Sequence, residues 1–425
     1  MINFPMNDIP CAANMVAGLN PEMKELLQTQ ELLIIIDEAA LLKWCSRDAI
    51  SEMLAIVRNQ PDALDGGATI LEVSDPCQGL MELSKKEAEP FLRNGVLYRE
   101  VYTDGAFMED SRREKVFFTE VKRFIGPLKD VYVEGANALR YGDTGPKVQA
   151  MTKLASQRQF TAAEDLETLT LFGTSKEVVE SHVVRTLRRA AARGQTVANK
   201  GVYIYRSSEA ARYGERQLNT LRPWGFEELA LAVGEKYLLI VKAMDCADVA
   251  SDKEDDDDDV EEESGVQFAD GKYASGNMVC EVLKLVPDKY VKVKVLRRDR
   301  STSFLYVPWK RVEKNGVALN LIGLKPYYER VVDLAQGLET EAPVHVVARR
   351  IFGKGKFYVA VTRCRDLHQL KITGVDTFSD LRRIVKSSWR VLWFLSKHGV
   401  QMPRLSQAYA NKERATFERL CEDGD

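Results

Sequence analysis

The sequence predicts an α/β protein of two parallel-sheet units, with a small β-barrel inserted into the second. Three observations predict it. Apolar strands with polar ends alternate with amphipathic helices, the pattern of sheets whose faces are covered by helices. Between Met278 and Val312 the texture changes to short alternating strands such as Tyr290–Val295. A tract of ten acids against one lysine, Asp252–Glu263, precedes that change and is expected to be a disordered loop. With 425 residues the chain is long enough for two or three domains.

The elements follow in order. Pro21 opens a helix with a leucine face over residues 21–31. A buried strand, 32–36, leads to Asp37-Glu38, and an amphipathic helix spans roughly 49–58. Gly66-Gly67 makes a break before a second strand, 68–73, which ends at Ser74-Asp75-Pro76-Cys77-Gln78. Residues 107–125 read as a helix rich in Arg, Phe and Glu. A new unit begins near Leu166 with a strand over 168–172, and Thr174-Ser175-Lys176-Glu177 forms an N-cap for a helix over 178–192. Residues 235–242 form another strand, and Phe357–Val361 reads as an apolar strand leading to Arg363. The last 50 residues are helical, with Trp389, Leu392, Trp393 and Leu395 on one face. The expected domains are 1–160, then 161–245 with 313–375, interrupted by the acidic loop 246–269 and the β insert 270–312. A helical extension, 376–425, closes the chain.

Composition narrows the function. An apolar share of 45% and a charged share of 29% suit a soluble globular protein, and no apolar run approaches a membrane span. The first residues lack the basic start and apolar core of a signal peptide. Seven scattered cysteines without a C-x-x-C pair, and four histidines, give a zinc site little support. A reducing compartment is expected, nuclear or cytoplasmic, with a mitochondrial one left open. The net charge of −3 contains −9 from the acidic tract, so the remainder carries about +6. Clusters such as Arg188-Arg189, Arg349-Arg350 and Arg382-Arg383 suit either a polyanionic partner or a solvated surface.

Asp37-Glu38 after five apolar residues has the form of an acid pair that holds Mg²⁺ and activates water, although both acids also suit a helix N-terminus. Gln78 closes the neighbouring strand, where a glutamine can touch a γ-phosphate; a plain turn is the alternative for Asp75 and Gln78. Arg112 and Arg113 are placed to reach the same phosphate or to coat a helix surface. Arg363, at the exit of a buried strand, needs a carboxylate or a phosphate. Gln336-Gly337 is a polar turn able to touch a nucleic-acid backbone. No G-x-x-x-x-G-K-[ST] occurs among the 425 residues, so the phosphate grip of an NTPase is absent.

The ordered run IIIDEAAL, SDPCQ, DSRRE, LFGTSKEV, LAVGEKYLLIVKAMD, AQGL and FYVAVTRCRDLHQLKI resembles the Pif family of superfamily-one DNA helicases, relatives of RecD that include the Helitron-type enzymes. The resemblance covers about residues 20–375. It implies two RecA-like domains, the first lacking the P-loop strand and helix, with an SH3-like β-barrel in the second. It implies ATP-dependent 5′-to-3′ DNA unwinding in repair or recombination, with ATP and Mg²⁺ as cofactors. By this resemblance Asp37 serves Mg²⁺, Glu38 hydrolysis, Gln78 the third motif, Arg112 the fourth, and Arg363 is the arginine finger. Asp37, Gln78, Gln336, Gly337 and Arg363 would meet the nucleotide. Thr174, Lys176, Gln336, Lys292 and Lys294 would meet single-stranded DNA.

The departures are specific. The 36 residues before Asp37 hold no glycine loop. The family's His-Lys-Ser-Gln-Gly turn is Asp333-Leu334-Ala335-Gln336-Gly337 here, and the third-motif Gly-Asp is Ser74-Asp75. Impaired hydrolysis is therefore expected. The alternative is a non-catalytic pseudo-helicase that binds single-stranded nucleic acid or a partner protein. The chain reads either as part of a longer helicase or as a decayed copy kept for its binding surface.

Overall fold

The computed structural model describes residues 11–29, 31–42, 44–78, 114–118, 123–199, 201–240, 247–248, 278–287, 289–296, 302–338 and 340–422. The acidic tract and Arg112 and Arg113 lie outside the described residues.

The first unit is built on two strands, β1 (Leu33–Asp37) and β2 (Thr69–Val73), paired in parallel from Leu33 opposite Thr69 to Asp37 opposite Val73. Parallel neighbours need a crossover, which the helix Trp44–Val57 supplies. Its Ala49, Ile50, Met53, Leu54 and Val57 pack with Ile34 and Ile70 and with the helices Ala12–Ala17 and Pro21–Leu27. The second of these starts as expected, with Pro21 in its first turn and the Asn20 side chain accepting from the Met23 N–H. Among the described residues nothing covers the opposite sheet face, where Leu33, Ile35, Leu71 and Val73 are each 45–62% exposed.

The second unit holds β3 (Leu169–Phe172), β13 (Glu329–Val331), β14 (Val344–Val347) and β15 (Leu370–Thr373), all parallel in the order β13-β3-β14-β15. One face carries the helices Lys129–Arg140 and Pro146–Gln157, whose Tyr132, Ala136, Leu139, Val148 and Met151 share a core with Leu169, Leu171, Val346 and Ile372. Residues 129–157, expected in the first domain, thus pack on the second sheet. Their polar and apolar pattern marks a helix without saying which sheet covers it.

The helix Ser175–Ala192 covers the other face and begins with the expected capping box, Thr174 with Glu177. It is fixed by a buried ionic knot. Glu329 accepts from Arg185 at 2.9 Å and Arg189 at 2.9 Å and lies 3.1 Å from His182 Nδ1, while Arg189 and Arg193 both reach Glu235.

The strands β4 (Val202–Arg206) and β5 (Glu228–Ala232) form a separate antiparallel pair. A larger antiparallel sheet follows the order β11-β10-β9-β8-β6-β12 and also takes in the two-residue β7 (Ala247–Asp248). Its strands are β6 (Lys236–Leu239), β8 (Met278–Val286), β9 (Tyr290–Leu296), β10 (Thr302–Lys314), β11 (Val317–Ile322) and β12 (Leu324–Pro326). The sheet therefore runs past the expected limits of 270–312 at both ends, and among the described residues its pairings form an open path and not a closed ring. Val291, Val293 and Val295 face its core together with Val178 and Val179.

Two local expectations are corrected. Glu114–Phe118 has no regular structure where a helix was expected over 107–125, the remainder of which up to Arg113 lies outside the described residues. The apolar run before Arg363 is a helix, Lys356–Val361, and not a strand. A short buried apolar run has no period that separates the two states. Gly355, at φ +76°, starts the helix. The C-terminal segments are helical as expected (Phe378–Ile384, Trp389–Lys397, Arg404–Glu422), but the fully buried face is Val391, Leu392, Phe394 and Leu395, with both tryptophans half-buried.

The ionic knot predicts how stability depends on pH. Burial pushes the Glu329 carboxyl up, but the hydrogen bond from His182 and the charge of Arg189 outweigh it and hold it at about 2. The stabilisation is present above the ordinary value of 4.5 and is lost as pH falls from there towards 2. Glu329→Gln removes the buried anion that Arg185 and Arg189 share, leaving Arg189 only Glu235, and is expected to cost about 3–5 kcal/mol in urea unfolding at neutral pH. Its stability should also fall less steeply than the wild type's on acidification.

Candidate functional site

β1 delivers Asp37 and Glu38 to its carboxyl end, the edge at which parallel α/β sheets place their ligands. Asp37 is exposed, and its Oδ1 accepts the Glu38 N–H at 2.9 Å. Glu38 takes a left-handed backbone, φ +53°, which turns its carboxylate away from the strand axis. That carboxylate meets the second unit, where Gln336 Nε2 donates to Glu38 Oε2 at 3.2 Å. Gly337 follows at φ +72°, a position that favours glycine.

β2 delivers Asp75 and Gln78, and Gln78 Oε1 accepts from Arg363 at 3.4 Å. Asp75 is held more firmly. Its Oδ1 accepts from Arg140 Nε at 3.2 Å and Nη2 at 3.1 Å and from the Cys77 N–H at 3.0 Å, while its Oδ2 accepts from the Tyr358 hydroxyl at 3.1 Å. Burial pushes the Tyr358 phenol well up, and the Asp75 charge adds to that. Cys77, buried against Val391, Phe394 and Leu395, is pushed up to about 12 by burial.

The structure thus brings Asp37, Glu38, Gln78, Gln336, Gly337 and Arg363 to one cleft between the two units. Arg140 and Tyr358 belong to the same cleft but carry no sequence signal, and Asp75 in sequence reads as readily as a turn residue. Asp333, an acid where a basic or polar contact was expected, accepts from Lys356 at 2.7 Å.

Among the described residues Arg363 is held by carbonyl, hydroxyl and amide oxygens. It is 1% exposed and donates from Nε to Val359 O, from Nη1 to Ala335 O and Leu338 O, and from Nη2 to Thr362 Oγ1 and Gln78 Oε1. Five acceptors match the five donors of a guanidinium. Carbonyls at the ends of short helices are natural partners for such a fork. Burial, and then the neighbouring Arg123, lower its pKa to about 10. Arg123 also donates to Leu338 O, at 3.4 Å.

These residues fit Mg-ATP incompletely. Mg²⁺ is held by one or two carboxylates together with the substrate's phosphates. Asp37 suits the first role, although among the described residues no group of three or more metal-ligating side chains forms. No glycine loop presents N–H groups to a triphosphate, and the donors of Arg363 are engaged internally.

The expected nucleic-acid residues fall in three places, Gln336 being one of the cleft residues. Thr174 caps its helix, and Lys176 lies exposed beside Glu180 at 3.7 Å. Lys292 and Lys294 alternate with the buried valines of β9 and so point away from the core. On that outer face Lys292 pairs with Tyr306 and Lys294 with Phe304 across β10. Lys292 Nζ lies 5.8 Å from the Tyr306 ring, and the Tyr290 and Tyr306 rings are 4.7 Å apart. The tyrosines and Phe304 were missed, although their alternation with lysine is visible in the sequence. Among the described residues no helix is long and apolar enough to cross a membrane.

No family model matches the sequence, and no curated protein matches it. Solved structures do match. A structure of two coordinating Pif1 helicases at forked double-stranded DNA matches with a TM-score of 0.61 at 16% identity, over 93% of this chain and 80% of that one. Pif1 helicase from Candida albicans matches with a TM-score of 0.61 at 17% identity, over 92% and 81%. Pif1 from Bacteroides with ADP-AlF3 and single-stranded DNA matches with a TM-score of 0.60 at 16% identity, over 94% and 81%. The chain shares the fold of these Pif1 helicase structures.

Gly355 tests how tightly the cleft is built. A Cβ there would lie 2.4 Å from Cys77 O, and the backbone is left-handed. Gly355→Ala is expected to destabilise the protein by about 1–3 kcal/mol in chemical denaturation, with loss of Cys77 protection from thiol reagents.

Proposed function

We propose that this chain is a helicase-like protein that binds single-stranded DNA and whose ATP hydrolysis is impaired. The observation that carries the reading is the meeting of Asp37, Glu38 and Gln78 with Gln336, Gly337 and Arg363 across one cleft, in a fold shared with Pif1 helicases. Among such neighbours, Pif1 from Bacteroides is seen bound to single-stranded DNA and in complex with ADP-AlF3 and single-stranded DNA, and another structure concerns DNA unwinding at forked double-stranded DNA. Descent from an ATP-dependent 5′-to-3′ helicase of repair or recombination, with two RecA-like domains, the first of them incomplete, and an SH3-like insert, is part of the proposal. The outer face of β9 and β10 supports the DNA contact, because bases stack on aromatic rings while lysines follow the phosphates. Thr174 and Lys176 would extend the contact along the backbone.

Internal engagement of Arg363 favours the stricter form of this reading, a pseudo-helicase that binds without turnover. A nucleotide would obtain that guanidinium only by displacing its hydrogen bonds to Val359, Ala335, Leu338, Thr362 and Gln78.

Two outcomes are expected. Fluorescence anisotropy with a labelled oligothymidine should show binding that weakens steeply with salt. Lys292→Ala with Lys294→Ala should lower that affinity and make the slope of log K against log salt shallower by about 1–2. Phosphate release in the presence of Mg-ATP and DNA should match that of Glu38→Gln; a clear excess in the wild type would overturn the impaired-hydrolysis reading.

A further inference from the structure

We propose that the cleft is held shut by the chain's own side chains, as a standing closed state that needs no nucleotide to form. The proposal concerns conformation and does not rest on DNA binding or on turnover.

Three bridges cross between the units. Gln336 donates to Glu38, Arg363 to Gln78, and both Tyr358 and Arg140 to Asp75. Each first-unit partner is a carboxylate or an amide oxygen, and each second-unit partner is a donor, so the set is complementary in polarity. Arg140 and Asp75 are only 21% and 16% exposed, so separating them would strand a poorly hydrated charge on each side. An apolar plug backs the bridges, for Cys77 inserts among Val391, Phe394 and Leu395 of the C-terminal helix Trp389–Lys397, against which Tyr141 and Tyr358 of the second unit also pack. The Gly355 backbone lies against the carbonyls of Cys77 and Gln78, an approach that only a residue without a side chain permits.

In a nucleotide-driven machine the groups that close the cleft belong to the nucleotide and are removed with it. Here the acid of the first unit and the arginine of the second already have protein partners, and the closing groups are covalently part of the chain. Opening requires breaking all three bridges and exposing the plug at once, and no ligand departure does that.

The test uses the full chain with spin labels on click-reactive residues introduced at positions 52 and 153, both exposed and on opposite sides of the cleft. Pulsed electron–electron resonance should give one narrow distance population that is unchanged by Mg-ATP or by Mg-ADP with aluminium fluoride. Gln336→Ala combined with Asp75→Ala removes two of the three bridges, the second with both of its donors, and a second, longer population is expected. Gln336→Ala alone, at a half-buried position, should broaden the distribution if the double variant folds poorly, with circular dichroism as the control. Two populations in the wild type, a shift on adding nucleotide, or a single unchanged population in the folded double variant would each overturn the proposal. DNA affinity measured on the same samples keeps this result separate from the functional reading.

Discussion

The clasp on Asp75 is the interaction on which the arrangement of the two units depends. One carboxylate at the end of β2 accepts from a helix of the second unit through Arg140 and from another through Tyr358, while its own turn is pinned by the Cys77 N–H. Because Asp75 sits one turn from Gln78 and beside the plug of Cys77, fixing it also fixes the glutamine that meets Arg363. The positions of Glu38 and Gln336 follow from the same docking.

The two units reach stability by different routes. The second is a four-stranded parallel sheet covered on both faces, the normal condition for such sheets. Its ionic knot around Glu329 joins the helix Ser175–Ala192 to β13 and, through Glu235, to the start of β6. The first has two strands and one covered face, and isolated two-stranded sheets are marginal in water. Its order therefore comes from helices packed beneath it and from the docking at Asp75 and Cys77.

Much of this was legible from residue order. An apolar strand ending in two acids, a capping box before a long helix and a lysine-rich alternating segment each follow from local chemistry. The cleft residues emerge from their sequence of motifs and not from any one of them. Other features could not be read. Arg140 and Tyr358 reach Asp75 across 65 and 283 residues, and neither position has a local pattern that announces a partner. The helix before Arg363 was hidden by β-branched residues whose strand preference yields to burial. The reach of the β-rich sheet was underestimated because β11 and β12 look like ordinary apolar strands of either unit.

The bare face of β1 and β2 has a consequence for the life of the protein in a cell. Leu33, Ile35, Leu71 and Val73 form an apolar strip on a native surface, of the kind that quality-control machinery reads in misfolded chains. Exchange of these four for polar residues removes no packing partner on that side among the described residues. Sequence drift on this strip therefore acts on lifetime and abundance, through chaperone residence and proteolysis, before it acts on anything the cleft does.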